Sequence, residues 1–191
     1  MLQINRVSDK NELQEILDLQ KANLRKLIGE DEAGKEGFLT AQYTLSMMEH
    51  MHQFQPSIIA KDKDIIAGYV IVTDKNSYGQ HPLLDDLFDS IDKLVYKDQK
   101  LNEVKYILVG QLCVAKEYRG MGLVQKMYQY YRDCLKNEYT YLVTDVAQEN
   151  PRSIKAHLKT GFEIIHSIQY GGIGWDIVLW DWNNIHSIEK S

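Results

Sequence analysis

Arg119-Gly120-Met121-Gly122 stands between an apolar run, Tyr106 to Ala115, and a stretch with helical periodicity that begins at Leu123. Two glycines directly ahead of a helix let the backbone come close to a ligand. The first helical turn adds unpaired N–H groups and the positive end of the helix dipole. Together they make a phosphate cradle suited to a pyrophosphate. Three readings compete for the motif. A dinucleotide fingerprint would put its third glycine at Gln125, and Lys116 to Gly120 intervene where the strand should lead tightly into the glycines. Asp145 could imitate the ribose-binding acid of that fingerprint, but too little chain follows it for a second nucleotide-binding half. A P-loop needs Gly-Lys-Ser/Thr, which does not follow. A turn of purely structural use stays open on the motif alone.

The elements that must position such a cradle lie on both sides of it. Tyr106 to Ala115 is β-rich, and Leu123, Met127, Tyr131, Cys134 and Leu135 mark the buried face of a helix ending near Asn137. Thr140 to Val146 is a further strand. Asn150 as N-cap and Pro151 at the first helical position open another helix, and Gly161 follows its last turn. Phe162 to Tyr170 and Trp175 to Trp180 form a closing hairpin across Gly171-Gly172-Ile173-Gly174. Earlier in the chain, Leu2 to Val7 reads as a strand. Ser8 or Asp9 with Glu12 starts a helix whose stripe runs through Leu13, Ile16, Leu17, Leu24, Leu27 and Ile28, until Gly29 to Gly37 break it. A second helix covers about Thr40 to His52, with Tyr43, Met47 and Met51 on one face, as core filler or as an adaptable binding wall. Ser57 to Lys61 and Ile65 to Thr73 pair as a hairpin across Asp62-Lys63-Asp64. An insertion of about 74–104 carries a helix outlined by Leu84, Leu87, Phe88, Ile91, Leu94 and Val95. It suits a lid or substrate wall, or equally a cover for a sheet edge or a dimer contact.

Composition excludes several function classes. The 191 residues, 44% hydrophobic and 26% charged, suffice for one domain with a substantial core and no need of disulfides or a structural metal. We expect that domain to span 1–182, followed by a polar tail, 183–191. No apolar run is long enough to span a bilayer, and Met1 to Arg6 shows neither a signal core nor transit-peptide bias, so a cytoplasmic location is expected. A net charge of −5 without a run of Lys and Arg argues against holding nucleic acid. Cys113 and Cys134 lack redox or metal spacing and read as buried free thiols. His50 and His52, two residues apart on a helix, point to different faces, which argues against a metal pair. No metal is expected.

The longer pattern carries a resemblance. Leu112-Cys113-Val114 followed by Glu117-Tyr118-Arg119-Gly120-Met121-Gly122-Leu123 resembles the acyl-CoA signature of the GNAT N-acetyltransferase superfamily, with Val124 where that signature has Gly or Ala. Asn150-Pro151-Arg152-Ser153-Ile154 and Gly161-Phe162 resemble the family's later strand, helix and strand unit. Trp175 to Leu179 resembles its last strand. The resemblance implies an α/β (α+β) fold: a mixed, mostly antiparallel twisted sheet of six to seven strands, helices on both faces, and a splay between the two central parallel strands. These would be Tyr106 to Ala115 and Thr140 to Val146.

The same resemblance implies roles. Main-chain groups near Leu112, Cys113 and Val114 would hold the pantetheine arm of acetyl-CoA and polarise its thioester carbonyl, and the amides from Arg119 through Gly120, Met121, Gly122 and Leu123 to Val124 would take the pyrophosphate. Asn150 and Ser153 would adjoin the pantetheine, although Asn150 also serves as a helix cap. Members commonly use a Tyr seven residues after that Asn as proton donor to sulfur; here the position is His157, a candidate general acid or simply a half-exposed helix residue. Members often place an acid on the central strand, where this chain offers only Gln111. The remaining base candidates are Asp145, Glu49, His50, His52, Asp85, Asp86, Asp89 and Asp92, or a water chain.

Two functions follow. One is an N-acetyltransferase that uses acetyl-CoA as co-substrate and acetylates a primary amine of a small molecule or peptide by direct attack through a tetrahedral intermediate. The other is a non-catalytic acyl-CoA-binding module, motivated by His157 and the missing strand carboxylate. Exposed edges and the inserted helix leave room for a homodimer.

Overall fold

Asp9 accepts from the Glu12 N–H at 3.0 Å while the Glu12 carboxylate accepts from the Ser8 N–H at 2.8 Å, a reciprocal cap that starts the first helix. The computed structural model describes residues 2–24 and 39–183. In chain order it contains β1 (Leu2–Arg6), α1 (Lys10–Ala22), α2 (Leu45–Phe54), β2 (Ile58–Asp62), β3 (Ile65–Thr73), α3 (Pro82–Ile91), β4 (Val95–Tyr96), β5 (Gln99–Lys100), β6 (Tyr106–Val114), α4 (Leu123–Leu135), β7 (Tyr141–Ala147), α5 (Pro151–Thr160), β8 (Glu163–Tyr170) and β9 (Ile173–Asp181). Seven strands form one sheet in the order β1-β2-β3-β6-β7-β9-β8. Every neighbouring pair is antiparallel except β6 and β7. This is the expected mixed, mostly antiparallel α/β arrangement with its two parallel strands at the centre.

Strand alternation sorts the core into two halves, because successive side chains point to opposite faces. On one face Tyr69, Tyr106, Leu108 and Val143 meet Leu13 and Ile16 of α1, Met48 and Met51 of α2, and Leu84, Phe88 and Ile91 of α3. On the other face Val70, Ile107 and Leu142 meet Met127, Tyr128 and Tyr131 of α4, with Phe162 and Trp180 beside them.

Several elements differ from their sequence patterns for local reasons. α1 stops at Ala22, where the Asn23 side chain donates to the Leu19 carbonyl at 2.9 Å, and Leu24 bridges to Leu39 instead of continuing the stripe. Leu27, Ile28 and the Gly29 to Gly37 break lie outside the described residues, as does the tail beyond Asn183. α2 begins at Leu45 because Thr44 caps it, and it buries Met48 and Met51, not Met47. Tyr43 therefore sits ahead of the helix, its N–H bonded to the buried Gln20 side chain at 3.0 Å. In the insertion Val95 leaves the helix for the β4–β5 hairpin and is 63% exposed. α4 buries Tyr128 and turns Cys134 outward, so only Cys113 is a buried thiol.

Gly161 ends α5 with φ +113°, and a Cβ there would lie 2.8 Å from the Trp180 indole nitrogen. Backbone strain and overpacking act together at this position. Gly161→Ala is expected to lower the unfolding free energy by about 1–3 kcal/mol in urea titration, with the m-value unchanged.

Candidate active site

The parallel ladder between β6 and β7 is short. It pairs Tyr106 with Tyr141, Ile107 with Leu142 and Leu108 with Val143. One further link follows, from the Thr144 hydroxyl to the Val109 carbonyl at 2.8 Å. At this height the β3–β6 register slips, with Ile71 opposite Gln111 and Val72 opposite Val109, so Gly110 is an extra residue in β6. A bulge bends its strand and increases the local twist. β6 leaves β7 there and a gap opens. Glycine at the bulge leaves room for the Tyr43 hydroxyl, which a Cβ on residue 110 would displace.

Beyond the bulge, the Ala115 N–H bonds to the Ala67 carbonyl at 2.8 Å, in register with Val114 opposite Gly68. Hydrogen-bonding direction alternates along an antiparallel strand. The main-chain groups of Leu112 and Val114 therefore face the gap, while those of Cys113 serve β3. The Cys113 thiol is buried on the opposite side of the strand, and burial pushes it up to about 12. Gln111 is no base: it accepts from the Tyr69 hydroxyl at 2.7 Å and donates to the Ala41 carbonyl at 2.7 Å, which fastens the 39–43 segment to the central strand.

On the α4 and α5 side, the gap continues into a cavity of about 670 Å³ lined by Leu112, Cys113, Val114, Arg119, Gly120, Gly122, Leu123, Val124, Asn150 and Ser153. Met121 is exposed at its edge. Gly120 and Gly122 have φ of +80° and +73°, and a Cβ at either would meet nothing within 4 Å, so both backbones border open space. Gly122 is the N-cap of α4 without a side-chain cap, which leaves the first-turn amides of Leu123 and Val124 directed at that space. The Arg119 amide is not part of this set, since it bonds to the Lys116 carbonyl at 3.3 Å. Its guanidinium instead ties the turn to the Val114 carbonyl at 3.1 Å and to Asn23 at the end of α1 at 2.8 Å. Asn150 accepts from the Ser153 N–H at 3.2 Å, as an N-cap should.

The cavity also gathers Arg152, Lys155 and Lys159 and no carboxylate among its described lining residues. The sequence reading passed over this trio. Its signal is the spacing of three and four residues, which puts the cations on one face of α5.

On the α2 and α3 side lies a second cavity, of about 450 Å³, which shares Leu39, Leu112, Asn150 and Ser153 with the first. Asp145 and Asp86 line it, and its described lining holds neither Lys nor Arg. α3 thus forms a wall of this cavity. Burial pushes the Asp145 carboxyl up to about 6, against an opposing backbone hydrogen bond. The other acid and histidine candidates are engaged elsewhere. Glu49 pairs with Lys10 at 2.6 Å, Asp85 accepts from the Gly79 N–H at 2.8 Å, Asp89 accepts from Tyr78 at 3.2 Å, and Asp92 pairs with Lys75 at 2.7 Å. His50 packs against Phe54, and His52 accepts from the Ser57 N–H at 3.1 Å.

His157 reaches the wall of the second cavity but is buried, not half-exposed. Its Nδ1 lies 2.8 Å from the Ser153 carbonyl and its Nε2 lies 2.8 Å from the Tyr128 hydroxyl. The carbonyl can only accept, so Nδ1 carries the proton and Nε2 accepts from the phenol. Burial lowers its pKa to about 4, against a weaker opposing pull from the Ser153 backbone. The ring is neutral at physiological pH and its single N–H is committed to the helix.

A sheet that opens between its only two parallel strands, with a glycine turn leading into a helix at the mouth, defines the acetyltransferase class of fold. The Acetyltransferase (GNAT) family model matches residues 15–162, and the chain belongs to that family. Comparison with curated protein sequences finds no match. The fold is similar to an acetyltransferase of the GNAT family from Streptococcus agalactiae 2603 (16% identity, 94% of this chain and 95% of that one, TM-score 0.64). It is also similar to yncA from Salmonella typhimurium with its cofactor acetyl-CoA (12% identity, 100% and 99%, TM-score 0.59). A third likeness is to a chain of the NatC complex bound to Gag peptide and CoA (13% identity, 94% and 98%, TM-score 0.65).

Two outcomes test this geometry. Asn tolerates the left-handed conformation, so Gly122→Asn is expected to keep the melting temperature within a few degrees while weakening acetyl-CoA binding about tenfold or more by calorimetry. The lowered His157 pKa means that the folded state binds fewer protons than the unfolded one, so its contribution to stability is present above about pH 6.5 and is lost as pH falls toward about 4. The fall in unfolding free energy across that window should be about 3 kcal/mol smaller in His157→Gln than in the parent, by chemical denaturation at each pH.

Proposed function

We propose that the protein is an N-acetyltransferase that moves the acetyl group of acetyl-CoA to a primary amine by direct attack within the β6–β7 gap. The observation that carries this reading is the charge division across the gap. A cationic cavity with an open glycine turn and helix N-terminus fits an anionic coenzyme, and a carboxylate-lined cavity fits an amine. Pantetheine would run along β6 and pair with the main chain of Leu112 and Val114, as an added strand does, and the amides of Gly120 to Val124 would receive the pyrophosphate. Arg152, Lys155 and Lys159 would add charge for the phosphates. Asn150 and Ser153 border both cavities, where the thioester would lie. The similar folds solved with acetyl-CoA or CoA support the choice of coenzyme.

Asp145 takes the role of general base in this proposal. An alkylammonium with a pKa near 10.4 must lose a proton before it attacks, and a carboxylate raised toward neutrality accepts it better than an ordinary one. The main-chain N–H groups at the gap would stabilise the oxyanion of the tetrahedral intermediate, which collapses with expulsion of thiolate. A thiol with a pKa of about 8.5 is a fair leaving group, and we assign no side-chain acid to it. His157 is assigned the holding of Tyr128 and α5, because its N–H is already bonded to Ser153.

Amine-dependent release of free CoA across a panel of alkylamines and peptide N-termini tests the reading. Release above hydrolysis is expected, and acetyl-CoA binding without such release would identify a binding module. With an active amine, kcat/KM is expected to rise about tenfold per pH unit up to about pH 6 and then flatten toward the next ionisation. Asp145→Asn should remove that inflection and lower kcat about a hundredfold.

A further inference from the structure

The Asp145 cavity has two ends. At its inner end Asp145 on β7 adjoins Tyr43, whose hydroxyl packs against the bulge at Gly110. Tyr43 is 3% exposed and its hydroxyl has no hydrogen-bond partner among the described residues. Burial first, and the charge of Asp145 second, raise the phenol above its usual range, so it stays protonated. A buried polar group left unpaired costs about 1–3 kcal/mol. Such a hydroxyl, on a residue that lines a cavity together with a carboxylate, marks where a polar ligand group belongs.

The outer end is different in character but equal in sign. Asp86 on α3 is exposed at the cavity edge, and the Tyr170 hydroxyl on β8 hydrogen-bonds to it. Leu84, Leu87 and Ile168 supply apolar lining. Two carboxylates, with no Lys or Arg among the described lining residues, give that lining a negative charge. A zwitterionic amino acid would set its carboxylate against Asp86, and a monoamine would match one carboxylate only.

We infer that the acceptor is a short aliphatic diamine, whose reacting nitrogen is held by Tyr43 and Asp145 and whose second cation is neutralised by Asp86. The inference deepens the acetyl-transfer reading and rests on it for the identity of the reacting nitrogen. In the bound state the inner ammonium donates to the Tyr43 oxygen and the Asp145 carboxylate. After loss of its proton to Asp145, the same nitrogen faces the gap. The outer ammonium stays charged beside Asp86 and Tyr170, and the methylene chain covers the leucines.

The test uses the full chain and three matched probes: 1,5-diaminopentane, pentylamine and 5-aminopentanoic acid. Binding is followed by calorimetry, and turnover by CoA release. The diamine is expected to bind and to exceed pentylamine in kcat/KM by tenfold or more, with the amino acid the poorest. Asp86→Asn should lower kcat/KM for the diamine about tenfold more than for pentylamine. Tyr43→Phe should weaken diamine binding about tenfold while keeping or raising the melting temperature, since it removes an unpaired buried hydroxyl. Turnover of pentylamine or a peptide N-terminus at least equal to that of the diamine overturns the inference and leaves acetyl transfer standing. Diamine binding that responds to both substitutions, without CoA release from any amine, supports the binding site and removes the acetyl-transfer reading. Absence of diamine binding, or binding unchanged in both variants, overturns the inference.

Discussion

The interaction on which the site depends is one that stops. Parallel pairing of β6 and β7 runs through Leu108 and Val143, gains the Thr144 hydroxyl as a last link, and then gives way at the Gly110 bulge. Had the ladder continued, the groups of Leu112 and Val114 would be consumed within the sheet. A bulge at one residue leaves them facing a gap at the centre of an otherwise continuous sheet, where no exposed edge invites aggregation. Tyr43 and Gly110 depend on each other here: the absent Cβ makes room for the phenol, and the phenol fills the space above the bend.

Much of this architecture can be read from residues with a single local meaning. Gly120 and Gly122 need positive φ, Asn150 caps the helix opened by Pro151, and Gly161 closes it. These positions fix the second half of the chain, and with it the proposed coenzyme side. The proposed acceptor side is less legible because its residues acquire meaning only through tertiary contact. Tyr43 reads as part of a helical stripe, yet Thr44 caps the helix one residue later and releases it into the cavity. Asp145 resembles many half-buried strand acids until the gap opens beside it. Among the acids of α3, only the neighbours of each side chain separate Asp86 from Asp85 and Asp89.

His157 shows the limit of residue type as a guide. Imidazole is an apt proton donor in water, but a ring enclosed by Tyr128 and Phe162 is held neutral, and its only N–H is spent on the helix backbone. The same desolvation acts on Asp145 in the opposite direction and brings a carboxylate toward the pH range in which it can exchange protons.

The two cavities share Leu39, Leu112, Asn150 and Ser153, and open on either side of the gap between β6 and β7. In the proposed reaction each reactant would therefore have a cavity of its own. Coenzyme and amine would then be resident together, one in each cavity. Such a layout favours a ternary encounter over a shuttle in which the protein itself carries the acetyl group between successive visitors, and it allows the order of arrival to be set by affinity instead of by obstruction.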